Sequence, residues 1–317
     1  MKKKGICVLD FYNGLKDQLR LSILGGKQGL ENRLSVAELN RPGLAITGFF
    51  DYFAHKRIQV FGKAEMSYLR SLMREERFER LKQIFLQKVP CIIIARKLTV
   101  PQELIQLADE HKTPLLRSPY MTMKLINHGT MFLADEFAPS MIINADHIEV
   151  YGVGVLILGK SGVGKSETAL GLINRGHRLI SDDVVVLKLV ESNFVVGEGQ
   201  SITQHFMELR GIGLINVQQL FGVGSVKVRK KVELVITLEI WDPNKEYERL
   251  GIENQYYTLL GTKIPHFILP VKPGRDVVTL VEVAALNFRL KKMGINPVEE
   301  LDKKLMAEMQ KEAMERK

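Results

Sequence analysis

Val153-Gly154-Val155-Leu156-Ile157-Leu158 runs into Gly159-Lys160-Ser161-Gly162-Val163-Gly164-Lys165-Ser166, and Glu167-Thr168-Ala169-Leu170-Gly171-Leu172-Ile173 follows. An apolar run, then G-x-x-x-x-G-K-[ST], then a helical pattern is the strand–loop–helix order of a phosphate-binding loop. Glycines let the backbone wrap phosphate oxygens closely with its N–H groups turned inward. The N-terminus of the following helix adds partial positive charge. Lys165 can reach the β- and γ-phosphates of a nucleotide, and the Ser166 hydroxyl can bind Mg²⁺. Gly159 through Ser166 is therefore the expected nucleotide-binding segment, ahead of the plainer reading as a flexible glycine turn before a helix.

Downstream, Leu179-Ile180 reads as the end of a second strand, followed by Asp182-Asp183. Carboxylates at a strand end near such a loop can hold Mg²⁺ or take a proton from an attacking hydroxyl. Position alone equally allows an Asx turn or a helix cap. Glu208-Leu209-Arg210-Gly211-Ile212-Gly213 sets an acid and a base beside a glycine turn, which by itself reads as a surface salt bridge. Pro270-Val271-Lys272-Pro273-Gly274-Arg275 is a rigid cationic turn that can clamp an anion or serve as a plain loop.

The 317 residues suffice for two domains. Up to about residue 130, short apolar strands alternate with helical patterns, an α/β unit. Arg57 to Phe61 and Cys91 to Ala95 read as strands, Tyr68 to Leu86 and Gln102 to His111 as helices. The pattern changes between 131 and 140, so the expected domains are 1–133 and 134–317. In the second, strands are expected at Ile148–Tyr151, Val153–Leu158, Val184–Val190, Val232–Ile240 and Val277–Val283, forming a mixed sheet. Pro297 to Lys317 reads as an amphipathic helix with Leu301, Leu305, Met306 and Met309 on one face. Cys7 and Cys91 lie in apolar contexts and are expected to be reduced. No apolar stretch approaches the ~20 residues of a membrane span. Asp10 interrupts the apolar run after the basic start, which reads against a secretory signal, so a cytoplasmic location is expected. The net charge of +9 has no recognition motif or aromatic interleaving beside it. A nucleic-acid partner is therefore not expected, whereas phosphates or an acidic protein suit the charge equally well.

Taken together, these segments resemble the bifunctional HPr kinase/phosphorylases. The likeness includes Val150 to Ile157 before the loop, Ser166 to Leu170 after it, and Arg175-Gly176-His177-Arg178-Leu179-Ile180-Ser181-Asp182-Asp183. It continues through Glu208 to Val217, Tyr247-Glu248-Arg249-Leu250-Gly251 and Pro270 to Arg275, with Asn40 to Leu44 and Arg57 to Val60 in the first half. The resemblance implies an N-terminal α/β domain of scaffolding or sensing role and a C-terminal P-loop kinase domain, assembled as a homohexamer. It implies ATP- and Mg²⁺-dependent phosphorylation of a serine of HPr, the phosphocarrier protein of the sugar phosphotransferase system, within the control of carbon metabolism. It also implies removal of that phosphate by inorganic phosphate, yielding pyrophosphate. Carried over residue by residue, Lys165 and the loop cradle phosphates, Ser166 and Glu208 contact Mg²⁺, Asp183 is the base and, in reverse, the acid, Arg249 is catalytic, and Arg275 serves mainly dephosphorylation.

There is one clear departure. Aligned between Ala138 and Tyr151 without gaps, Asn144-Ala145 stands where the family carries a catalytic His-Gly. Asparagine cannot titrate. The plainer expectation for nearby His147 is a surface strand residue, and a bulge or a register slip would be needed for it to substitute for the missing histidine. A second reading follows, a nucleotide-binding regulator with reduced or lost catalysis. Asp276 is a smaller departure, in place of the family's usual asparagine.

Overall fold

The computed structural model describes residues 5–191, 193–247 and 255–297, together with 300, 301, 303, 304 and 306–309. Two compact units part between Ala138 and Pro139. That is a few residues beyond the boundary read from the sequence, because the last helix of the first unit continues through Phe137.

The first unit contains α1 (Val8–Leu19), β1 (Ser22–Gly25), β2 (Leu39–Asn40), α2 (Gly43–Ile46), β3 (Ile58–Phe61), α3 (Lys63–Ser71), α4 (Arg74–Leu86), β4 (Ile92–Ile94), α5 (Gln102–Glu110), β5 (Leu115–Arg117) and α6 (Thr122–Phe137). Its strands are ordered β1-β5-β4-β3-β2, parallel except for the antiparallel edge strand β1. Alternate strand residues face opposite sides, and here both sides are apolar. Val60, Ile93 and Leu116 pack with Phe11, Leu125 and Leu133 of α1 and α6. Phe61, Ile92, Ile94 and Leu115 pack with Met66, Leu81, Phe85 and Leu104 of α3 to α5. Two-sided burial is the reason Cys91 to Ala95 is continuously apolar. The helical spacing from Tyr68 to Leu86 is shared by α3 and α4, which are separated by Leu72 and Met73 in extended backbone. Both cysteines are free.

The second unit contains β6 (Ser140–Asn144), β7 (Asp146–Val150), β8 (Val153–Gly159), α7 (Lys165–Asn174), β9 (Arg178–Ser181), β10 (Val184–Val190), β11 (Phe194–Gly199), β12 (Phe206–Leu209), β13 (Gly213–Asn216), α8 (Val217–Phe221), β14 (Arg229–Lys231), β15 (Leu234–Ile240), β16 (Tyr256–Leu259), β17 (Thr262–Val271) and α9 (Val277–Lys292). Among the described residues, one mixed sheet runs β16-β17-β15-β8-β7-β9, with β17, β15 and β8 parallel. A second, antiparallel sheet runs β14-β11-β10-β6, and β12-β13 is a hairpin. The mixed sheet is covered on both faces. Val155, Ile157, Leu234 and Ile236 pack with Ala169 and Leu172 of α7 and Val281 and Ala285 of α9. Leu156 and Val235 face Val185, Leu187 and Val195 of the second sheet.

The expectation of a strand at Val277–Val283 is overturned, since this segment starts helix α9. Its β-branched residues favour strand on propensity. Asp276 decides otherwise as an N-cap: its carboxylate accepts the Thr279 N–H at 3.1 Å and the Thr279 hydroxyl at 2.6 Å. Val281 and Ala285, one turn apart, then bury a helical face. Of the C-terminal apolar face, Leu301, Met306 and Met309 are helical and exposed, and Leu305 lies outside the described residues.

Gly154 marks where the chain between β14 and β15 crosses closest to β8. The Glu233 N–H donates to the Gly154 carbonyl at 2.8 Å, and a Cβ on Gly154 would collide with the Lys231 carbonyl. Backbone cannot retreat as a flexible side chain can. Gly154→Ala is expected to lower the stability of this unit by about 1–3 kcal/mol, read as a lower urea midpoint; an unchanged midpoint would refute the close approach.

Candidate active site

β8 delivers Gly159 to the carboxyl edge of the parallel strands, where open α/β sheets gather ligands. Gly162 and Gly164 take φ of +82° and +98°, a region that a Cβ disfavours. α7 begins at Lys165, so its unpaired N-terminal amides face the hollow of the loop. Lys165 Nζ donates to the Gly159 carbonyl at 3.3 Å, folding the ammonium across the loop. Thr168 Oγ1 donates to the Gly164 carbonyl at 2.7 Å. The Val163 side chain enters the core and pins the loop, while Lys160 is exposed.

A polar cavity of about 260 Å³ is lined by Ser161, Gly162, Gly164, Lys165, Ser166, Glu167, Asp182, Asp183, Glu208 and Arg210. The structure thus brings Lys165, Ser166, Asp183 and Glu208 together from three places in the sequence. Asp182 and Asp183 stand at the end of β9, where the chain leaves the mixed sheet for β10 of the second sheet. Asp182 Oδ2 accepts the Glu208 N–H at 3.1 Å, and its carboxylate also bonds the Ser166 hydroxyl. Burial raises the Asp182 pKa. Arg210 donates to Ser161 Oγ at 3.2 Å, tying the end of β12 to the loop.

Sequence reading missed two participants. Arg210 was read within a surface salt bridge, yet it stands two residues from Glu208. Strand spacing puts both on one face, which was the available signal. Asp146 gave no motif at all. It is fully buried at the start of β7, and its pKa is pushed up to about 8 by burial first and then by the charge of Asp182.

Ser166 and the carboxylates fit a hard cation with oxygen ligands. Among the described residues, no group of three or more His, Cys, Asp or Glu side chains could hold a metal unaided. Mg²⁺ takes one or two protein oxygens and completes its shell with phosphates and water.

Two arginines were also expected in the site. Arg275 lines a separate cavity with Trp241 and Tyr247. It lies beyond the end of β17 on the same carboxyl edge, with Nη1 donating to the Pro270 carbonyl at 3.3 Å. Arg249 lies outside the described residues. Asp276, besides capping α9, pairs with Arg175 at 3.0 Å. The Thr279 hydroxyl and amide, followed by Arg175, hold its pKa down to about 2.

Asn144 is exposed at the end of β6, paired across from Val184, so it flanks the Asp183 turn. His147 is not the surface residue expected. β6 and β7 belong to different sheets, and the chain crosses between them at Ala145. The β7–β9 pairing does slip in register between His147 and Ile148, but the imidazole is fully buried against Gly197 of β11. It sits on the face of the sheet opposite Asp146. Burial lowers its pKa to about 3, so it is a neutral core residue and not a stand-in for a histidine at 144.

A strand–loop–helix phosphate cradle with a lysine, a hydroxyl and carboxylates at the sheet edge defines a nucleotide-dependent phosphotransferase of the P-loop class. The HPr serine kinase C-terminal domain profile matches residues 135–305, and the HPr serine kinase N-terminus profile matches residues 8–133. Proteins named HPr kinase/phosphorylase from Bacillus licheniformis and Bacillus subtilis are each 42% identical over 289 residues, covering 91% of this chain and 93% of their own. The solved Hpr(Ser) kinase/phosphatase from Coxiella burnetii is 35% identical and covers 49% of this chain and 93% of its own, with a TM-score of 0.45. The chain belongs to the HPr serine kinase family and is an enzyme of the kinase/phosphorylase type.

His147 sets an acid limit on stability. Its folded pKa near 3 lies below the ordinary 6.5, so between those values the unfolded chain binds the extra proton. Stability from this site is complete above about pH 6.5 and falls as pH drops toward 3. Asp146 acts in the opposite sense, its contribution being lost as pH rises from 3.8 through about 8. Urea midpoints measured against pH for wild type and His147→Leu should therefore diverge in slope below about pH 6.5. Parallel profiles would show that His147 is not buried neutral.

Proposed function

We propose that this chain uses ATP with Mg²⁺ to phosphorylate a serine of HPr and, with inorganic phosphate, reverses that modification to give pyrophosphate. One observation carries the reading: Lys165, Ser166 and the Asp183 carboxylate line a single cavity. A phosphate cradle and a proton acceptor sharing one small space is what this reaction requires. The HPr kinase/phosphorylase names of relatives at 42% identity support HPr as the substrate.

In the forward direction the seryl oxygen attacks the γ-phosphorus, Asp183 takes the hydroxyl proton, and ADP leaves. In reverse, a phosphate oxygen attacks the phosphoseryl phosphorus, Asp183 returns the proton to the seryl oxygen, and pyrophosphate departs. Lys165 and the loop amides hold the phosphates, and Arg210 braces the loop through Ser161. Ser166 and Glu208 would hold Mg²⁺, which supplies charge neutralisation at the phosphates. Arg275, on the same edge, is placed to hold the anion used in the reverse direction, and Arg249 completes the catalytic set on the family pattern. A cytoplasmic homohexamer is the form in which the enzyme would act, regulating carbon metabolism.

Asn144 favours a second reading, a regulator that binds nucleotide without turnover, since a group that cannot titrate flanks the Asp183 turn. Mixing the protein with Mg-ATP and HPr and reading HPr by mass spectrometry separates the two. The expected result is one phosphate on a serine, absent with Asp183→Asn and removed by added phosphate with release of pyrophosphate. Binding of ATP without any phosphoserine would refute the kinase reading and favour the regulator.

A further inference from the structure

Asp183 has an unusual backbone. Its φ is +59°, uncommon for a residue with a Cβ. The Val184 N–H donates across it to the Asp182 carbonyl at 2.7 Å. A bond from residue i+2 to residue i around a positive φ is the rarer, strained form of γ-turn. Such strain persists only where the surroundings over-determine it.

The surroundings here come from one short segment. The Ala145 N–H donates to the Asp183 carbonyl at 2.9 Å, and Asp146 Oδ1 accepts the Asp183 N–H at 3.0 Å. Both backbone groups of Asp183 are thereby fixed by consecutive residues at the crossing between β6 and β7. Ser181 Oγ closes the turn from its other side by donating to the Val184 carbonyl at 2.6 Å. Asp146 itself cannot swing away, being fully buried. Its Oδ2 and Asp182 Oδ1 are buried and find no donor among the described residues. The two carboxyl groups are immediate neighbours.

We propose that Asp146 is a positioning residue for the phosphoryl-transfer site: its carboxyl holds the strained turn that aims Asp183 into the cavity and braces Asp182 beside it. The inference rests on the kinase reading above for its effect on turnover, but the turn itself can be measured without turnover. Asp146 contacts Asp182 and the Asp183 amide, so its removal acts first on the turn that carries Asp183. Losing the acceptor lets the turn relax, and a displacement of about 1 Å at a reacting group costs on the order of 100-fold in rate.

The test compares Asp146→Ala with Asp146→Asn in the full chain. The asparagine amide keeps an oxygen for the Asp183 N–H and offers a donor to Asp182, so it reproduces both contacts. Asp146→Ala is expected to lose about 100-fold in kcat for HPr phosphorylation with little change in KM for ATP. Asp146→Asn is expected to stay within about threefold of wild type. Hydrogen exchange at the Asp183 amide is expected to be slow in wild type and Asp146→Asn and fast in Asp146→Ala. Equal loss of kcat in both variants, a fall in kcat matched by a rise in KM for ATP, or unchanged exchange at Asp183 in the alanine variant would each overturn the proposal. Should Asp146→Ala not fold, the asparagine variant decides alone, through retained turnover and slow exchange or through their loss. Absence of kinase activity in wild type would refute the functional reading, while the exchange data would still report on the turn.

Discussion

The second unit depends on a seam. Two neighbouring chain segments pass between the sheets, one from the antiparallel to the mixed sheet at Ala145 between β6 and β7, the other back at Asp182-Asp183 between β9 and β10. A strand that changes sheets leaves backbone groups without ladder partners, and buried N–H and C=O groups must be paired. The two crossings pair each other, through the Ala145 amide on the Asp183 carbonyl and the Asp183 amide on Asp146. The flanking pairs, Asn144 with Val184 and His147 with Ser181, continue the pairing into each sheet. Asp183, a lining residue of the cavity, thus sits where the layering of the fold obliges the chain to bend.

The same seam sorts the side chains around it. Asp146 and His147 are adjacent and fully buried, yet alternate pleat directions send them to opposite faces of the mixed sheet. Asp146 meets Asp182 beside the phosphate loop, where a carboxyl group finds polar partners. His147 enters the space between the sheets beside Gly197, where a Cβ would press on the ring. In that setting an imidazole survives only uncharged. A one-residue slip in β7 would exchange the two and bury a carboxyl among Leu156, Val185 and Val195. Register here is held by the cost of misplaced polarity as well as by apolar packing.

How far the sequence could be read follows from which interactions are local. The phosphate loop was legible because its strand, glycines, lysine and helix are contiguous, and each has a chemical reason at its own position. The two-sided burial of the first unit was legible as well, since continuous runs such as Cys91 to Ala95 imply cover on both faces. Val277 to Val283 was misread because its residues favour strand, while the deciding features are one capping carboxylate at Asp276 and packing against α7. His147 was misplaced for a similar reason: a single strand through 144 to 147 was assumed, and nothing local announces that Ala145 turns it into two. Asp146 carries no motif, because its meaning lies in Asp182 and in Asp183, 37 positions away. Arg210 was within reach through its two-residue spacing from Glu208, but a strand end and a surface loop look alike when the facing phosphate loop is not yet placed.

Charge balance at the cavity ties these pieces together. Beside the buried Asp146, four carboxyl side chains, Glu167, Asp182, Asp183 and Glu208, line this cavity against the cationic side chains of Lys165 and Arg210. The protein groups alone are therefore slightly negative where the proposed reading puts a polyanionic triphosphate. Like charges held a few ångströms apart in a half-buried site repel by several kcal/mol. A cavity of this kind accepts phosphates only in company with a cation, and the α7 N-terminus and loop amides supply the remaining positive potential. Were Asp146 ionised instead of protonated, the imbalance would deepen. Burial of Asp146 opposes that ionisation.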